Sequence, residues 1–429
     1  MQNVLSLNNF NLSYAGYDLI LGSSGPVPPI DPYNPLNLPE YTMRLLFTDA
    51  YTPTSQRLNT TFTQVSQSPN IWDVTREYGD WSGLFTGNGN LLAVLGANTT
   101  NVTSMDRLFF ACTNLSSIAL FDTTNVIDMD ETFVYCTGLS SMPSYDTSNV
   151  KVMRYTFSNC YNLSSIPLFD TDNLVIMDGT FAGCTNLSSV PLFDTHNVKS
   201  MDVTFGGCTN LSSVPLFDTT NVSSMYQTFA MCENLSSIPS FDTQNVINMN
   251  YTFYGCENLS SIPLFDTTNV TNMNSTFGSC INLSSIPLFD TTNVTNMYAT
   301  FSGCENLSSI PSFDTHNVTN MNYTFYGCEN LSSIPLFDTR NVTDMQQTFK
   351  NCTSLSAIPR TYSFFVSALT SMAGAFENCY NVETGISGLY LVVSSRITNA
   401  WAHGSTFKNC GINTTQGAAE LAMIPNSWK

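Results

Sequence analysis

Residues 269–292 read N-V-T-N-M-N-S-T-F-G-S-C-I-N-L-S-S-I-P-L-F-D-T-T, and Asn293 begins the same phrase again. Cysteines mark the repeat, because each of eleven lies 24 residues after the one before it. They are Cys112, Cys136, Cys160, Cys184, Cys208, Cys232, Cys256, Cys280, Cys304, Cys328 and Cys352. A fixed period of this length is typical of a solenoid, in which each repeat stacks on its neighbours.

The repeat divides into two halves. The first half, M-x-x-x-F-x-x-C, spaces its apolar residues by three or four, which predicts a short helix. The second half, L-S-S-I-P-L-F-D, predicts a short parallel strand that closes in an Asp-containing turn. Neither half can bury its apolar side alone. The sequence therefore predicts an α/β, leucine-rich-repeat-type solenoid of 24-residue coils, each with a short strand and a short helix.

The repeat decays toward both ends, as capping units do. We predict that the solenoid covers residues 74–359, with residues 74–97 as an N-terminal cap coil in which Trp81 and Asn88 replace Met and Cys. Residues 360–429 show stretched spacings, which predict degenerate repeats and a C-terminal cap.

Residues 1–73 do not follow the repeat. The stretch P-V-P-P-I-D-P-Y-N-P-L-N-L-P is typical of an extended linker, and T-M-R-L-L-F-T-D-A-Y alternates enough to predict a strand. We predict a small β-rich N-terminal arm or module here.

Charge excludes some partners. Only 10% of the residues are charged, and 32 acidic against 13 basic side chains give a formal net charge of −19. Nucleic acid and anionic lipid both require clustered Lys and Arg, so we expect neither. We see no apolar run of about 18 residues and no export signal at the N-terminus, so we expect no membrane insertion.

The sequence shows no catalytic, metal or cofactor site. The histidines are His196, His316 and His403, and the first two occupy the same repeat position five coils apart. We therefore expect no enzymatic activity, no cofactor and no metal. The cysteine column is interpreted as buried reduced thiols. The aspartate column, Asp122 to Asp338, is interpreted as turn-forming, with a line of Ca²⁺ ligands as the alternative. Repulsion between stacked carboxylates would raise some of their pKa values.

Tyrosines are the candidate binding residues, because they stand at positions that vary between coils, whereas the second half of the repeat would offer a uniform Ser-rich face. Aromatic rings on a weakly charged surface suit stacking on sugars or contact with protein. The alternative is ordinary packing against neighbouring side chains. The candidates are Tyr135, Tyr155, Tyr226, Tyr251, Tyr254, Tyr298, Tyr323 and Tyr326.

The run from Asn269 to Pro287 resembles the BspA-like leucine-rich repeat family, which occurs in bacterial surface proteins and has phage-encoded relatives. The resemblance covers about residues 98–380. It implies adhesion rather than catalysis, and a location on a virion or a bacterial cell surface.

Two functions stay open at this stage. The first is a non-enzymatic adhesion or binding protein that recognises a cell-surface glycan or protein. The alternative is a phage virion structural, decoration or fibre protein that is anchored to other virion proteins through residues 1–73. Either one is compatible with a homo-oligomer.

Overall fold

The structure is a computed structural model that describes residues 34, 36–49, 51–53, 60–77, 79–359 and 368–429. Most of the proline-rich stretch and the start of the predicted C-terminal segment lie outside the described residues.

The N-terminal part of the described chain is a five-stranded sheet in the order β2-β3-β1-β4-β5. Its strands are β1 (Thr42–Phe47), β2 (Thr60–Gln67), β3 (Asn70–Arg76), β4 (Leu91–Asn98) and β5 (Ser117–Ile118). β1 lies in the stretch whose alternation predicts a strand, and it pairs antiparallel with β3 and with β4. β4 pairs parallel with β5 of the next coil. The described part of the predicted N-terminal module is thus joined to the coils by one continuous sheet.

Single-residue parallel bridges connect the coils beyond this sheet. In all but one of them, the bridged residue is the one that precedes the Met or Trp position, starting with Asp80 and Ser104 and ending with Asp344 and Ser371; the exception joins Ala357 to Thr384. From Asp80 to Asp344, each bridged residue lies 24 residues after the last. The chain is therefore a repeat solenoid.

The Met-to-Cys residues of each coil, here called the turn segment, form turns, and the predicted helix is wrong. In residues 129–136, the N–H groups of Met129 and Glu131 donate to the next coil, to Val152 O at 3.0 Å and Arg154 O at 2.8 Å. The N–H of Thr132 closes a turn on Met129 O at 3.3 Å. A helix would direct every N–H back along its own axis, whereas here alternate N–H groups leave the coil.

Positive φ angles are the physical reason. Glu131 and Tyr135 have φ of 50° and 58°, and each is the third residue of a four-residue turn, the position that defines a type II turn. Glycine and asparagine adopt this conformation most readily. They fill the second of these positions in many coils, at Asn159, Gly183, Gly207, Gly255, Gly303, Gly327, Asn351, Asn378 and Asn409.

The Leu-to-Phe residues of each coil, here called the proline segment, are extended, but among the described coils they form strands only at β4, in the first coil, and at β5. In that coil Ala119 stands where most others have proline, and its N–H donates to Val94 O at 2.9 Å. Proline has no N–H to donate. The predicted strand is therefore wrong for the coils that carry proline.

Helices occur in the C-terminal cap. They are α1 (Ile386–Val393), α2 (Ala400–His403), α3 (Thr415–Ala422) and a 3₁₀ helix (Asn426–Trp428). The N–H of Phe407, in the last coil, donates to Trp428 O at 2.9 Å, so the 3₁₀ helix supplies the acceptor that a further coil would supply. Among the described residues, no helix has the length and apolar character needed to cross a bilayer.

The core consists of side-chain columns that run along the stack. Phe205 and Phe229 stack with ring centroids 5.6 Å apart and planes within 8°, and a second column stacks Phe217 on Phe241 at 6.4 Å. The buried Thr228 hydroxyl donates to Met201 O of the previous coil at 2.9 Å. Stacking of identical side chains thus gives one continuous core.

All thirteen cysteines are free and buried. The thiol of Cys232 donates to Phe205 O of the previous coil at 3.2 Å, and the same contact recurs along the column. Burial raises the pKa of Cys208 and of Cys304 to about 12. Because thiolate is the reactive form, these thiols act as small apolar groups rather than as nucleophiles.

Candidate ligand-binding face

The turn segment sorts its side chains by position. Met, Thr, Phe and Cys are buried in the core, whereas the two residues after Met and the two before Cys are partly exposed in most coils. In the coil of residues 249–256, the partly exposed residues are Asn250, Tyr251 and Tyr254. The inter-coil hydrogen bonds of Tyr251 and Gly255 use their backbone N–H groups, so the side chains at these positions can vary while these bonds are kept.

Three of the predicted tyrosines form a cluster on this outward face, which we call the first tyrosine triad. Tyr226 meets the edge of Tyr251 at 6.3 Å with an interplanar angle of 81°, and Tyr251 meets Tyr254 at 5.7 Å and 71°. All three rings are half-buried. Edge-on contacts of this kind hold each ring in place while one side stays open to solvent.

A second tyrosine triad repeats the first, 72 residues later along the chain. Tyr298 and Tyr323 lie 5.6 Å apart, and Tyr323 and Tyr326 lie 5.9 Å apart. These rings are also half-buried. The two triads are separated by three coils, which is roughly 14 Å at a strand spacing of about 4.8 Å.

The remaining two candidates stand apart from the triads. Tyr135 is 42% exposed and meets the edge of Phe110 at 6.3 Å. Tyr155 lies flat over Gly179, where a Cβ would come within 2.1 Å of the ring. The structure therefore groups six of the eight predicted tyrosines and leaves these two isolated.

The backbone fixes the central tyrosine of each triad. Tyr251 and Tyr323 have φ of 56° and 57°, a conformation that costs about 1–2 kcal/mol for a residue with a Cβ. Their N–H groups donate to the next coil, to Asn274 O and Gln346 O, both at 2.9 Å. This series of backbone hydrogen bonds between coils, here called the ladder, therefore fixes the backbone from which these rings project.

The aspartate column takes part in turns. Asp218 Oδ1 accepts the N–H of Thr220 at 3.0 Å, while its backbone carbonyl accepts the Thr195 hydroxyl at 2.7 Å. Hydrogen bonds from Thr220 and Thr268 lower the pKa of Asp218 and of Asp266. The prediction that stacking raises such pKa values is wrong for these carboxyls, because the turn hydrogen bonds outweigh the repulsion. Within the described residues, no group of three His, Cys, Asp or Glu side chains is arranged to hold a metal ion.

Each histidine has a partner of its own. His196 Nδ1 lies 2.6 Å from Asp194 Oδ1, and the equivalent distance from His316 to Asp314 is 2.8 Å. His403 stacks on Trp428 with centroids 4.2 Å apart.

A column of exposed leucines is the feature that the sequence analysis missed. The residue after proline is central in a tight turn, as shown by the N–H of Phe217, which donates to Pro215 O at 3.0 Å. This turn directs Leu216 outward, so the proline segment is not uniformly Ser-rich. Serine replaces leucine at positions 144, 240 and 312, which is a signal that the position is not core. The leucine ridge comprises Leu168, Leu192, Leu216, Leu264, Leu288 and Leu336, each 59–67% exposed.

Several solved structures are similar to this chain. A leucine rich cell surface protein from Faecalibacterium prausnitzii is 19% identical over 72% of this chain and 94% of its own, with a TM-score of 0.36. A leucine-rich repeat protein from Eubacterium ventriosum is 20% identical over 65% of this chain and 81% of its own, with a TM-score of 0.38. For the T. pallidum leucine rich repeat protein, the identity is 15%, the coverages 60% and 83%, and the TM-score 0.24.

No curated protein matches the chain. One family model does, and its description is "Mycoplasma protein of unknown function, DUF285". The model matches three overlapping stretches, residues 80–192, 176–286 and 281–389. Since these stretches cover more than half of the 429 residues, the chain belongs to the DUF285 family.

Proposed function

We propose that this protein is a non-enzymatic binding protein that recognises a cell-surface glycan or protein through its two tyrosine triads. The observation that carries the proposal is the repetition of a three-tyrosine cluster at the same coil positions, with edge-on contacts in the first triad and tilted contacts in the second. Elsewhere the outward positions of the turn segment carry small or polar side chains in most coils.

Tyrosine suits this role for physical reasons. Its ring offers a large contact area with few rotatable bonds, so little entropy is lost when a ligand binds. Ring faces attract the C–H groups of sugars and the apolar parts of proteins, and the hydroxyl can donate or accept a hydrogen bond. The ladder holds the rings before the ligand arrives, which lowers the cost of binding further.

Two equal sites on one rigid stack favour an extended ligand. A polymer that reaches across roughly 14 Å engages both triads, and the second contact then forms at a high effective concentration. A short ligand engages only one triad. The proposal therefore includes a dependence of affinity on ligand length.

The test is binding of the full chain to a panel of bacterial cells and to their isolated surface polysaccharides. We expect saturable binding that weakens by about tenfold or more in a Tyr251→Ala, Tyr323→Ala double variant, the size of a lost central contact. Each single variant should lose less. Tyr161→Ala is the matched control, because this tyrosine is 41% exposed and lies outside the turn segment.

Unchanged binding in the double variant would remove the triads from the proposal. The virion role is the alternative, with residues 1–73 as the anchor. Within that segment, β1, β2 and the start of β3 belong to the sheet that continues into the coils. Absence of cell and polysaccharide binding, together with retention of a capsid or tail protein by the full chain, would favour this role.

A further inference from the structure

The leucine ridge lies on the half of each coil that does not carry the tyrosines. Leu168, Leu192 and Leu216 are its longest uninterrupted run, with exposures of 62%, 59% and 59%. They stand on successive coils, and the phenylalanines that directly follow them stack with ring centroids 6.3 Å and 6.4 Å apart. Ser240 ends the run. Apolar side chains that line up in this way on a surface mark a site of contact with another molecule.

Acidic groups run beside this ridge. Asp170, Asp194 and Asp218 each stand two residues after one of the three leucines, and all three are exposed. Asp194 is paired with His196 at 2.6 Å. Within residues 79–359, Asp170 and Asp218 have no ion pair with a basic side chain.

Two of these carboxylates, Asp194 and Asp218, are held in the ionised form at neutral pH. Hydrogen bonds from Thr220 hold the pKa of Asp218 below its usual value, and those from His196 do the same for Asp194. The turn hydrogen bond of Asp218 uses Oδ1. The Thr220 side chain also donates to this carboxylate, which stays exposed and can accept from a cationic group as well.

We propose that Leu168, Leu192 and Leu216, with the aspartates beside them, bind a basic amphipathic α-helix of a partner protein. A helix rises about 5.4 Å per turn, within about 1 Å of the 6.3–6.4 Å that separates the phenylalanines beside these leucines, so apolar side chains one turn apart meet successive leucines. Lys or Arg on one flank of the helix then reaches the aspartates. The small mismatch in spacing grows with length, which fits a run of three leucines better than a longer one.

A second copy of this chain fits the ridge poorly. If two copies met ridge to ridge with their stacks antiparallel, a two-fold axis across the ridge would bring the two aspartate columns together. Each chain also carries a formal net charge of −19. Like charges facing each other across an interface oppose association, whereas a basic partner is attracted.

The first experiment measures binding of a fluorescent synthetic peptide of about five helical turns to the full chain. The peptide has leucines one turn apart and lysines along one flank. We expect binding that weakens at least about tenfold in the Leu192→Ser, Leu216→Ser double variant. Serine suits these positions, since Ser144, Ser240 and Ser312 occupy them in other coils. The matched control is Leu391→Ser, because Leu391 is 72% exposed on α1.

Charge is tested separately. An Asp170→Asn, Asp218→Asn variant keeps the turn-forming oxygen of each side chain. We expect it to bind the peptide more weakly, and we expect its affinity to change less with salt concentration. A peptide with glutamate in place of lysine should not bind. Equal binding by the glutamate peptide, or unchanged binding in the leucine variant, would overturn the proposal. So would a dimer of the wild-type chain, seen by sedimentation, that the leucine substitutions dissociate.

The ridge and the triads are independent surfaces. The Tyr251→Ala, Tyr323→Ala variant should bind the lysine peptide as the wild-type chain does. A negative result for glycan or protein binding at the tyrosines would therefore not contradict the helix-binding proposal. A negative result for helix binding would likewise not contradict the proposed function.

Discussion

The turn segment and the proline segment hold the coils together in different ways. In residues 225–232, the N–H groups of Met225, Gln227, Phe229 and Met231 all donate to the next coil. In residues 235–241, the N–H of Ser236 alone donates to a neighbouring coil, to Ser212 O at 3.3 Å. Where backbone atoms connect the coils, the outward side chains are free to vary. In the proline segment, where few backbone hydrogen bonds join the coils, the sequence repeats almost unchanged.

This difference explains the two candidate surfaces. The tyrosine triads occupy outward positions of the turn segment, where a change in side chain leaves the ladder intact. The leucine ridge belongs to the proline segment, where the same residue recurs and makes a regular surface. The tyrosine triads would recognise particular chemical groups of a ligand. The leucine ridge would recognise a partner whose side chains repeat at a regular spacing.

Alkaline pH should disrupt the turn segment most strongly, because it carries the thiols. Burial raises the pKa of Cys208 and Cys304 from 9.0 to about 12. The stabilising effect is complete below pH 9 and is lost as pH rises from 9 toward 12, because the unfolded chain then releases protons that the folded chain keeps. Each thiol contributes about 1.4 kcal/mol per pH unit in this range. We expect cooperative loss of the circular dichroism signal above pH 9.

The control for this prediction is reaction with a thiol reagent. The cysteines should stay unreactive until the circular dichroism signal falls, and both changes should then occur over the same pH range. Thiols that titrate near pH 9 in a chain with unchanged circular dichroism would contradict the assignment of these groups to the core.

A smaller effect is expected from the positive φ angles of the turn segment. Gly327 has φ of 71°, and a Cβ there meets nothing closer than 3.8 Å, so backbone strain is the main cost of a side chain. Gly327→Ala should lower the free energy of unfolding by about 1 kcal/mol. Gly327→Asn should lower it less, as Asn159 and Asn351 adopt the same conformation. Urea unfolding of both variants measures the difference, and equal losses would argue against strain as the cause.

The smallest effect on stability is expected in the proline segment. Pro215→Ala makes this coil resemble the one with Ala119 and restores an N–H that can donate to Val190 O. The added hydrogen bond, about 1 kcal/mol, and the lost rigidity of proline, about 0.4–1 kcal/mol, nearly cancel. Hydrogen exchange should show a protected amide at position 215. Rapid exchange there would mean that proline is not what prevents the strand.

The period, the columns of the core and the N-terminal strand β1 were all predictable from sequence. The turns of the Met-to-Cys residues were not predictable, because inward positions three or four residues apart suit a helix and a series of type II turns equally well. The recurring Gly and Asn at the position of Gly183 were the available signal. The prediction of a strand in each coil was wrong because the proline of most coils has no N–H, which hydrogen bonding between neighbouring strands needs.

The candidate site was predicted as a set of residues but not as an arrangement. The eight tyrosines were selected because they stand at variable positions, and their role in binding stays a prediction. Which rings touch depends on the offset between coils, since Tyr226 meets Tyr251 of the next coil and not a residue of its own. The leucine ridge was missed because a leucine close to isoleucine and phenylalanine suggests a core position. The tight turn at proline instead directs this leucine toward solvent.

The ladder of the turn segment has a direction. Met225 donates to Asn248 O and Met273 to Asn296 O, so each coil offers its N–H groups to the coil that follows it in sequence. A chain that emerges from the ribosome N-terminus first therefore presents open donors at its growing end, and each new coil arrives with the matching carbonyls. This direction is compatible with assembly from the N-terminus, in which the existing stack serves as the template for the next coil. The carbonyl of Trp428 then terminates that growth by accepting from Phe407.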